Sequence, residues 1–342
     1  MDAKTLTLLE YDQILQLLAA QAVTGRGKEL ALSLHPQTER EAVEAALAET
    51  EEGVRLLEQG GLPWGGLVDV RPVLQRARLG GLLAPEELLA VASTAEALER
   101  LKGALAHRGA DFPLLSAQAR AINVDPRLGR EIRRCLTEGG EVDDGASPEL
   151  GRLRARLRTV QNRVRERLEE LVRSAEVRRY LQEPVVTVRN GRLVLPVRQE
   201  CRGQVPGVVH DASASGATLF VEPLAVVELN NQARTLAARE REEVERILRV
   251  LSDLVRAQAD LLSESLERAA RLDLSLAKAR LAAAQGAVRP RLNTCGRVNL
   301  HSARHPLLTG EVVPIDLRLG EEFDLLVLTG PNTGGKTVTL KT

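Results

Sequence analysis

The sequence predicts a mainly α protein with a small β insert: a helical core, two long antiparallel helices carrying the insert, and a closing β-rich segment. Three observations predict it. Of 342 residues 44% are hydrophobic but only 2% aromatic, and a core of Leu and Ala with few rings suits packed helices better than a β-sandwich. Two long stretches, one opening at Ser147 and one at Pro223, repeat apolar residues at alternating spacings of three and four, the seam of packed helices. Between them the chain switches to the β-branched, two-residue period of strands.

Residues 1–146 read as the helical core. LTLLEYDQILQLLAAQA is one amphipathic helix, and TEREAVEAALAETEEGVRLLEQG is a second, stopped by Gly60-Gly61. LPWGGLVDVRP is a loop. APEELLAVASTAEALERLKGAL opens with Pro85 in a first turn, where its missing N–H costs nothing. This region reads as scaffold, without a site.

Residues 147–183 form the first long helix. Pro148 and Glu149 supply its first turn, and Leu153, Leu157, Val160, Val164, Leu168 and Leu171 form its seam. Helical to Tyr180, it would span roughly 50 Å at ~1.5 Å per residue. Residues 223–286 form the second, with Val244, Ile247, Leu248, Leu251, Val255, Leu262 and Leu266 continuing the seam to about Leu281. Two matched segments bracketing an insert are expected to run antiparallel. In the insert, 184–222, VVTVRNGRLVLPV is a hairpin about Asn190-Gly191, since both turn positions require φ > 0. GVVHDASASGATLFV is a second hairpin with a Ser/Gly-rich tip, in which His210 and Asp211 are expected as turn formers. A small β-domain is thus expected at the far end of the helical pair. Residues 287–342 return to strands in RVNLHSARHPLL, VPIDLRL and FDLLVLTG.

Formal net charge is zero, which excludes a globally basic nucleic-acid binder and leaves only local patches. Cys135, Cys201 and Cys295 are far apart, with no CxxC and no His at metal spacing, so neither a disulfide framework nor a zinc site is expected. The start, MDAKTLTLLEYDQ, lacks a signal-peptide pattern, and no apolar run reaches the ~18 residues of a membrane span. A cytoplasmic protein is expected, with no membrane partner.

Gly330, Pro331, Asn332, Thr333, Gly334, Gly335, Lys336 and Thr337 satisfy G-x-x-x-x-G-K-[ST]. Glycines there let backbone N–H groups converge on phosphate oxygens, Lys336 supplies a charge to the β/γ-phosphates, and the Thr337 hydroxyl ligates Mg²⁺. DLLVLT supplies the expected preceding strand. An acidic Walker B strand has no candidate after the loop, and the upstream Asp316 and Asp324 lie on its wrong side. The chain is therefore expected to be the N-terminal part of a larger ATP hydrolase, inactive alone, with no catalytic residue of its own and no bound nucleotide.

TGPNTGGKTVTLKT resembles the Walker A segment of the MutS superfamily, and ARHPLL (Ala303–Leu308) resembles the start of its ATPase domain. RLVLPVR, GVVHDASASGATLFVEP and VVELNN are similar to the clamp and returning lever of MutS type-two proteins, paralogues lacking the mismatch-reading and connector domains. The resemblance covers essentially the whole chain, most weakly over 1–120. It implies a helical core at 1–146, an ascending lever helix at 147–183 and a β clamp at 184–222. A descending lever helix at 223–286 follows, then the start of an ATPase domain at 287–342. It further implies a homodimer that binds ATP with Mg²⁺, encloses branched or duplex DNA and suppresses homologous recombination, or acts on collided ribosomes and their rRNA. A C-terminal Smr nuclease domain would complete such a protein. Phe220-Val221-Glu222 spells the Phe-x-Glu of mismatch readers; at the end of a clamp strand, Phe220 is expected in the core and Glu222 as a helix-entry acid.

For nucleic acid the candidates are Arg189, Arg192, Arg198 and Arg202 on the clamp, with Ser213 and Ser215 at its tip. Residues 152–179 add ten Arg against four Glu, a patch able to neutralise phosphates; Arg165 and Glu169 are spaced to pair locally. His305 is a candidate for framing the adenine. The alternative reading is a coiled-coil dimerisation or protein-interaction module without nucleic-acid contact, in which these charges are a solvated face.

Overall fold

The computed structural model of the chain describes residues 2–330 and 335–342. In chain order the helices are α1 (Ala3–Leu8), α2 (Tyr11–Gln21), α3 (Gly25–Leu32), α4 (Arg40–Glu58), α5 (Arg71–Arg78), α6 (Pro85–Ala106), α7 (Pro113–Arg120), α8 (Pro126–Cys135), α9 (Pro148–Arg173), α10 (Ala175–Arg178), α11 (Leu224–Gln285) and α12 (Lys336–Lys341). The strands are β1 (Thr187–Arg189), β2 (Arg192–Arg198), β3 (Gly207–Ala212), β4 (Thr218–Pro223), β5 (Val298–Ala303) and β6 (Ile315–Leu319). The protein is mainly α with small antiparallel sheets, as its composition and periods predict. Two compact units emerge, one of residues 1–75, 90–129 and 257–342, the other of residues 76–89 and 130–256.

In the first unit, Leu56 of α4, Leu105 of α6, Phe112, Leu115 and Ala119 at α7, and Leu272 and Leu276 of α11 form one apolar cluster. A second joins Leu18, Ala19, Ala22 and Ala31 to Ala277. Two buried carboxylates fix the loops around these clusters. Asp273 accepts the Val23 and Thr24 N–H groups at 2.9 and 2.7 Å and the Thr24 hydroxyl at 2.8 Å, while Thr24 caps α3. Glu52 accepts the N–H groups of Leu114 and Leu115, each at 3.0 Å, the donors a helix start leaves free. β5 and β6 pair antiparallel.

In the second unit, Ser147 caps α9 by accepting the Leu150 N–H, and its hydroxyl donates to Glu243 at 2.6 Å. Arg154 bridges to Glu240 and Asp144, each at 2.7 Å. Leu153 and Leu157 pack with Leu236, flanked by Val160, Ala233 and Ala237. Numbers rise along α9 as they fall along α11, so these helices run antiparallel. At the Val164 end sits one four-stranded sheet, order β1-β2-β4-β3. Its Leu195, Val197 and Val221 close a cluster with Val164 and Leu168 of α9 and Val226 of α11. Asn190 and Gly191 take positive φ between β1 and β2, the turn their sequence demands.

Several expectations are corrected. The first helix is two, α1 and α2, divided at Glu10, whose φ of 56° is left-handed. The first long helix stops at Arg173 rather than Tyr180, because Ser174 turns to an extended ψ of 122°; serine competes with the helix through its own side chain. The two expected hairpins both form, and β2–β4 pairs from Leu195↔Val221 to Arg198↔Thr218 join them in one sheet. His210 and Asp211 lie within β3, and Glu222 lies within β4 rather than in a helix entry. Glu169 pairs with Arg173 at 3.3 Å, not with Arg165. Residues 324–329 form no strand, and Leu325 and Val327 are 78% and 70% exposed. A run apolar on both faces suits a strand flanked on both sides in a parallel sheet, and none of the described strands pairs with it.

Candidate nucleic-acid interface and nucleotide loop

The insert's arginines divide into two kinds. Arg192 leaves β2 beside the root of α11 and is spent internally: its guanidinium donates to Glu222 at 2.7 and 2.9 Å and to Asn231 at 2.8 Å, leaving 13% of the side chain exposed. Arg189 lies across the Phe220 ring, 4.1 Å from its centroid, and faces Asp211 at 3.5 Å. Phe220 is thus half-buried beneath a cation. Arg198, at the end of β2, and Arg202, in the following 3-10 turn, are exposed and have no ion partner among the described residues. Ser213 and Ser215 occupy the β3–β4 turn, where the Ser213 hydroxyl accepts the Thr218 N–H at 3.1 Å and lies 3.3 Å from the Ser215 hydroxyl.

The arginines of α9 divide similarly. Arg154, Arg158, Arg167 and Arg173 have carboxylate partners. Arg156, Arg163 and Arg165 are exposed without one among the described residues. Arg165 also lines two adjoining depressions of about 860 and 1130 Å³ with Val188 and Leu193, so a free cation borders a trough between α9 and β1.

Beneath the sheet lies a group that the sequence did not disclose. Glu222 is 1% exposed. Besides Arg192 it accepts from Asn230 of α11 at 2.7 Å and meets His210 Nε2 at 2.5 Å. One carboxylate therefore ties β2, β3, β4 and α11 together. A buried charge is tolerated only when paired and fully hydrogen-bonded, and four contacts from three side chains meet that demand. The β-branched pair Val208-Val209 was a signal for β3 that outweighed the turn propensity of His-Asp; the partner of Glu222 had no local signal.

The nucleotide loop falls partly outside the description. Pro331, Asn332, Thr333 and Gly334 lie outside the described residues. Gly335 takes φ 77° at the N-terminus of α12, a conformation that favours glycine. Lys336 donates to the Gly330 carbonyl at 2.6 Å, and the Thr337 side chain is exposed. The residue types present fit a phosphate with Mg²⁺: a left-handed glycine, a cation and a hydroxyl. His305 is buried, its Nδ1 accepting the Leu307 N–H at 3.3 Å. Among the described residues no helix is long and apolar enough to cross a membrane.

No family model matches the chain. Proteins named "Endonuclease MutS2" are similar over all of it. That of Symbiobacterium thermophilum is 48% identical over 343 residues, that of Pelotomaculum thermopropionicum 47% over 343, and that of Brevibacillus brevis 46% over 346. The chain spans 43%, 44% and 44% of those relatives' lengths.

Proposed function

We propose, because the chain belongs to the MutS type-two family, that its second unit is a nucleic-acid clamp carried on lever helices. On this reading 147–183 and 223–286 are the levers, 184–222 the clamp, 1–146 the core, and 287–342 the start of an ATPase domain. The supporting observation is the division of the arginines. Arg192 is consumed in holding the sheet, whereas Arg198 and Arg202, with Arg156, Arg163 and Arg165 on α9, stand exposed without ion partners among the described residues. Free guanidiniums are the groups that displace counterions from phosphates; Ser213 and Ser215 add hydroxyls that position a backbone without reading bases.

In the whole protein, ATP with Mg²⁺ would be held by the 330–337 loop, with Lys336 on the phosphates and Thr337 on the metal, and the protein would hydrolyse ATP as a homodimer. Its targets are proposed as branched or duplex DNA, with suppression of recombination, or ribosomes and rRNA; the names of the relatives add endonuclease activity, expected from an Smr domain. Competition among branched DNA, plain duplex and ribosomes for the whole protein separates the targets.

The clamp itself is tested by anisotropy titration of a labelled duplex against salt. Changing Arg198 and Arg202 together to Ala should weaken binding and lower the log–log salt slope by about 2, since each lost phosphate contact removes roughly 0.9. Full affinity and an unchanged slope in that variant would remove the clamp assignment.

A further inference from the structure

Resting on the nucleic-acid reading above, we infer that Asp211 stands in for a phosphate on Arg189: a nucleic-acid phosphate displaces the carboxylate, while the Phe220 ring keeps the guanidinium in place. Arg189 differs from the other arginines of the insert. Arg192 is locked, because Glu222 accepts from it at 2.7 and 2.9 Å and the two side chains are 13% and 1% exposed. Arg189 Nε instead lies 3.5 Å from Asp211, and these side chains are 40% and 47% exposed. That separation exceeds the roughly 2.7–2.9 Å of a charge-assisted hydrogen bond, and a pair so open to water contributes little. Arg189 is therefore paired but releasable.

What seats the guanidinium does not depend on Asp211. Val221 of β4 belongs to the core cluster, so its neighbour Phe220 takes the opposite face of the sheet. The Arg189 guanidinium lies over that ring, 4.1 Å from its centroid, and Nη1 donates to the Val188 carbonyl at 2.9 Å. A cation over a ring is attracted to it, and both contacts remain when the ion pair opens. Asp211 also keeps a donor then, because its Oδ1 accepts the Ala212 N–H at 2.9 Å. The Asn190 amide donates to the His210 carbonyl at 3.2 Å, which holds the β1–β2 turn against β3 throughout. With Oδ1 on Ala212, Asp211 has Oδ2 left for Arg189. A phosphate brings two oxygens to the planar guanidinium edge and releases a counterion from the nucleic acid. The seat on Phe220 also removes freedom that an unrestrained arginine would lose on binding.

The test is anisotropy of a short labelled DNA duplex with the 342-residue chain, titrated against salt. Arg189→Gln should bind about fivefold more weakly, the size of one exposed ionic contact, and lower the log–log salt slope by about 0.9, one phosphate. Asp211→Asn should bind about threefold more tightly than the wild type at an unchanged slope, since the same phosphate is taken without a competitor. Asp211→Glu, which restores a carboxylate, should bind as the wild type does. With Arg189→Gln already present, the gain from Asp211→Asn should shrink by about half or more. Phe220→Leu should weaken binding about threefold, and only while Arg189 is present. An unchanged slope in Arg189→Gln overturns the exchange, Arg189 being then a strut between strands. An equal gain from Asp211→Asn with and without Arg189 also overturns it, Asp211 being then a distant repulsion; either result leaves the clamp at Arg198 and Arg202 standing. Absence of duplex binding by the wild type overturns the nucleic-acid reading and the exchange together. Should Arg189→Gln fail to fold by circular dichroism, Asp211→Asn against Asp211→Glu decides the matter, and equal affinities overturn the exchange.

Discussion

Removing the Glu222 carboxylate should loosen the second unit more than removal of any surface charge. The side chain is 1% exposed and accepts from Arg192 at 2.7 and 2.9 Å, from Asn230 at 2.7 Å and from His210 at 2.5 Å. In Glu222→Ala the Arg192 guanidinium, 13% exposed, and Asn230, 5% exposed, lose this acceptor together, Asn230 keeping the Leu193 carbonyl at 3.1 Å. Breaking one side of a buried ion pair typically costs about 3–5 kcal/mol. Arg192 keeps its bond to Asn231 and some access to water, so the lower end, about 3 kcal/mol, is expected. Glu222→Gln should cost about half as much, because its amide oxygen still accepts while its NH₂ opposes another donor. Arg192→Met introduced alongside Glu222→Ala should recover part of the loss by withdrawing the stranded charge. Amide exchange read by mass spectrometry over β2 to β4 is the direct assay, since about 3 kcal/mol corresponds to roughly a hundredfold faster opening. Exchange within threefold of wild type in Glu222→Ala would refute the reasoning: the carboxylate would then not be holding the strands to α11.

Asp273→Ala should destabilise the first unit by about 2–4 kcal/mol, since two backbone N–H groups and the Thr24 hydroxyl lose their acceptor; faster amide exchange confined to residues 18–32 is the readout. Gly207→Ala should cost about 2 kcal/mol in a urea melt, because a Cβ there would overlap the Glu222 carbonyl and Val221 on the adjacent strand. Acid should loosen the α9–α11 pairing from one identifiable group. Arg246, and then the Ser147 hydroxyl, hold Glu243 down from its ordinary 4.5 to about 2. A depressed carboxylate contributes stability that is full above 4.5 and is lost as pH falls toward 2. Glu243→Gln should therefore flatten the acid limb of the unfolding profile between those values, and an unchanged limb would count against the Arg246 and Ser147 contacts of Glu243 taken together.

The periods decided the type of element. Leu153, Leu157 and Val164 had to share a helix face, and Asn190-Gly191 had to reverse a hairpin, because these outcomes depend on residues a few positions apart. The helix breaks at Glu10 and Ser174 were not legible, since nothing in their neighbours forbids continued helix. The apolar run 324–329 shows the opposite limit: strand propensity is unrealised where no other strand supplies a ladder.

At the site, the sequence by itself determined that arginines cluster at 152–179 and around the insert, that the insert is made of hairpins, and that a glycine-rich loop with Lys336 and Thr337 closes the chain. Only the tertiary structure decided which cations are free. Arg192 and Arg198 are alike as letters, yet one is bound to Glu222, thirty positions away along the chain, and the other faces water. The physical reason is that a charge is spent or available according to what lies within about 3 Å of it. For Arg192 that neighbour arrives from another strand, through the β2–β4 pairing and burial that no local pattern encodes.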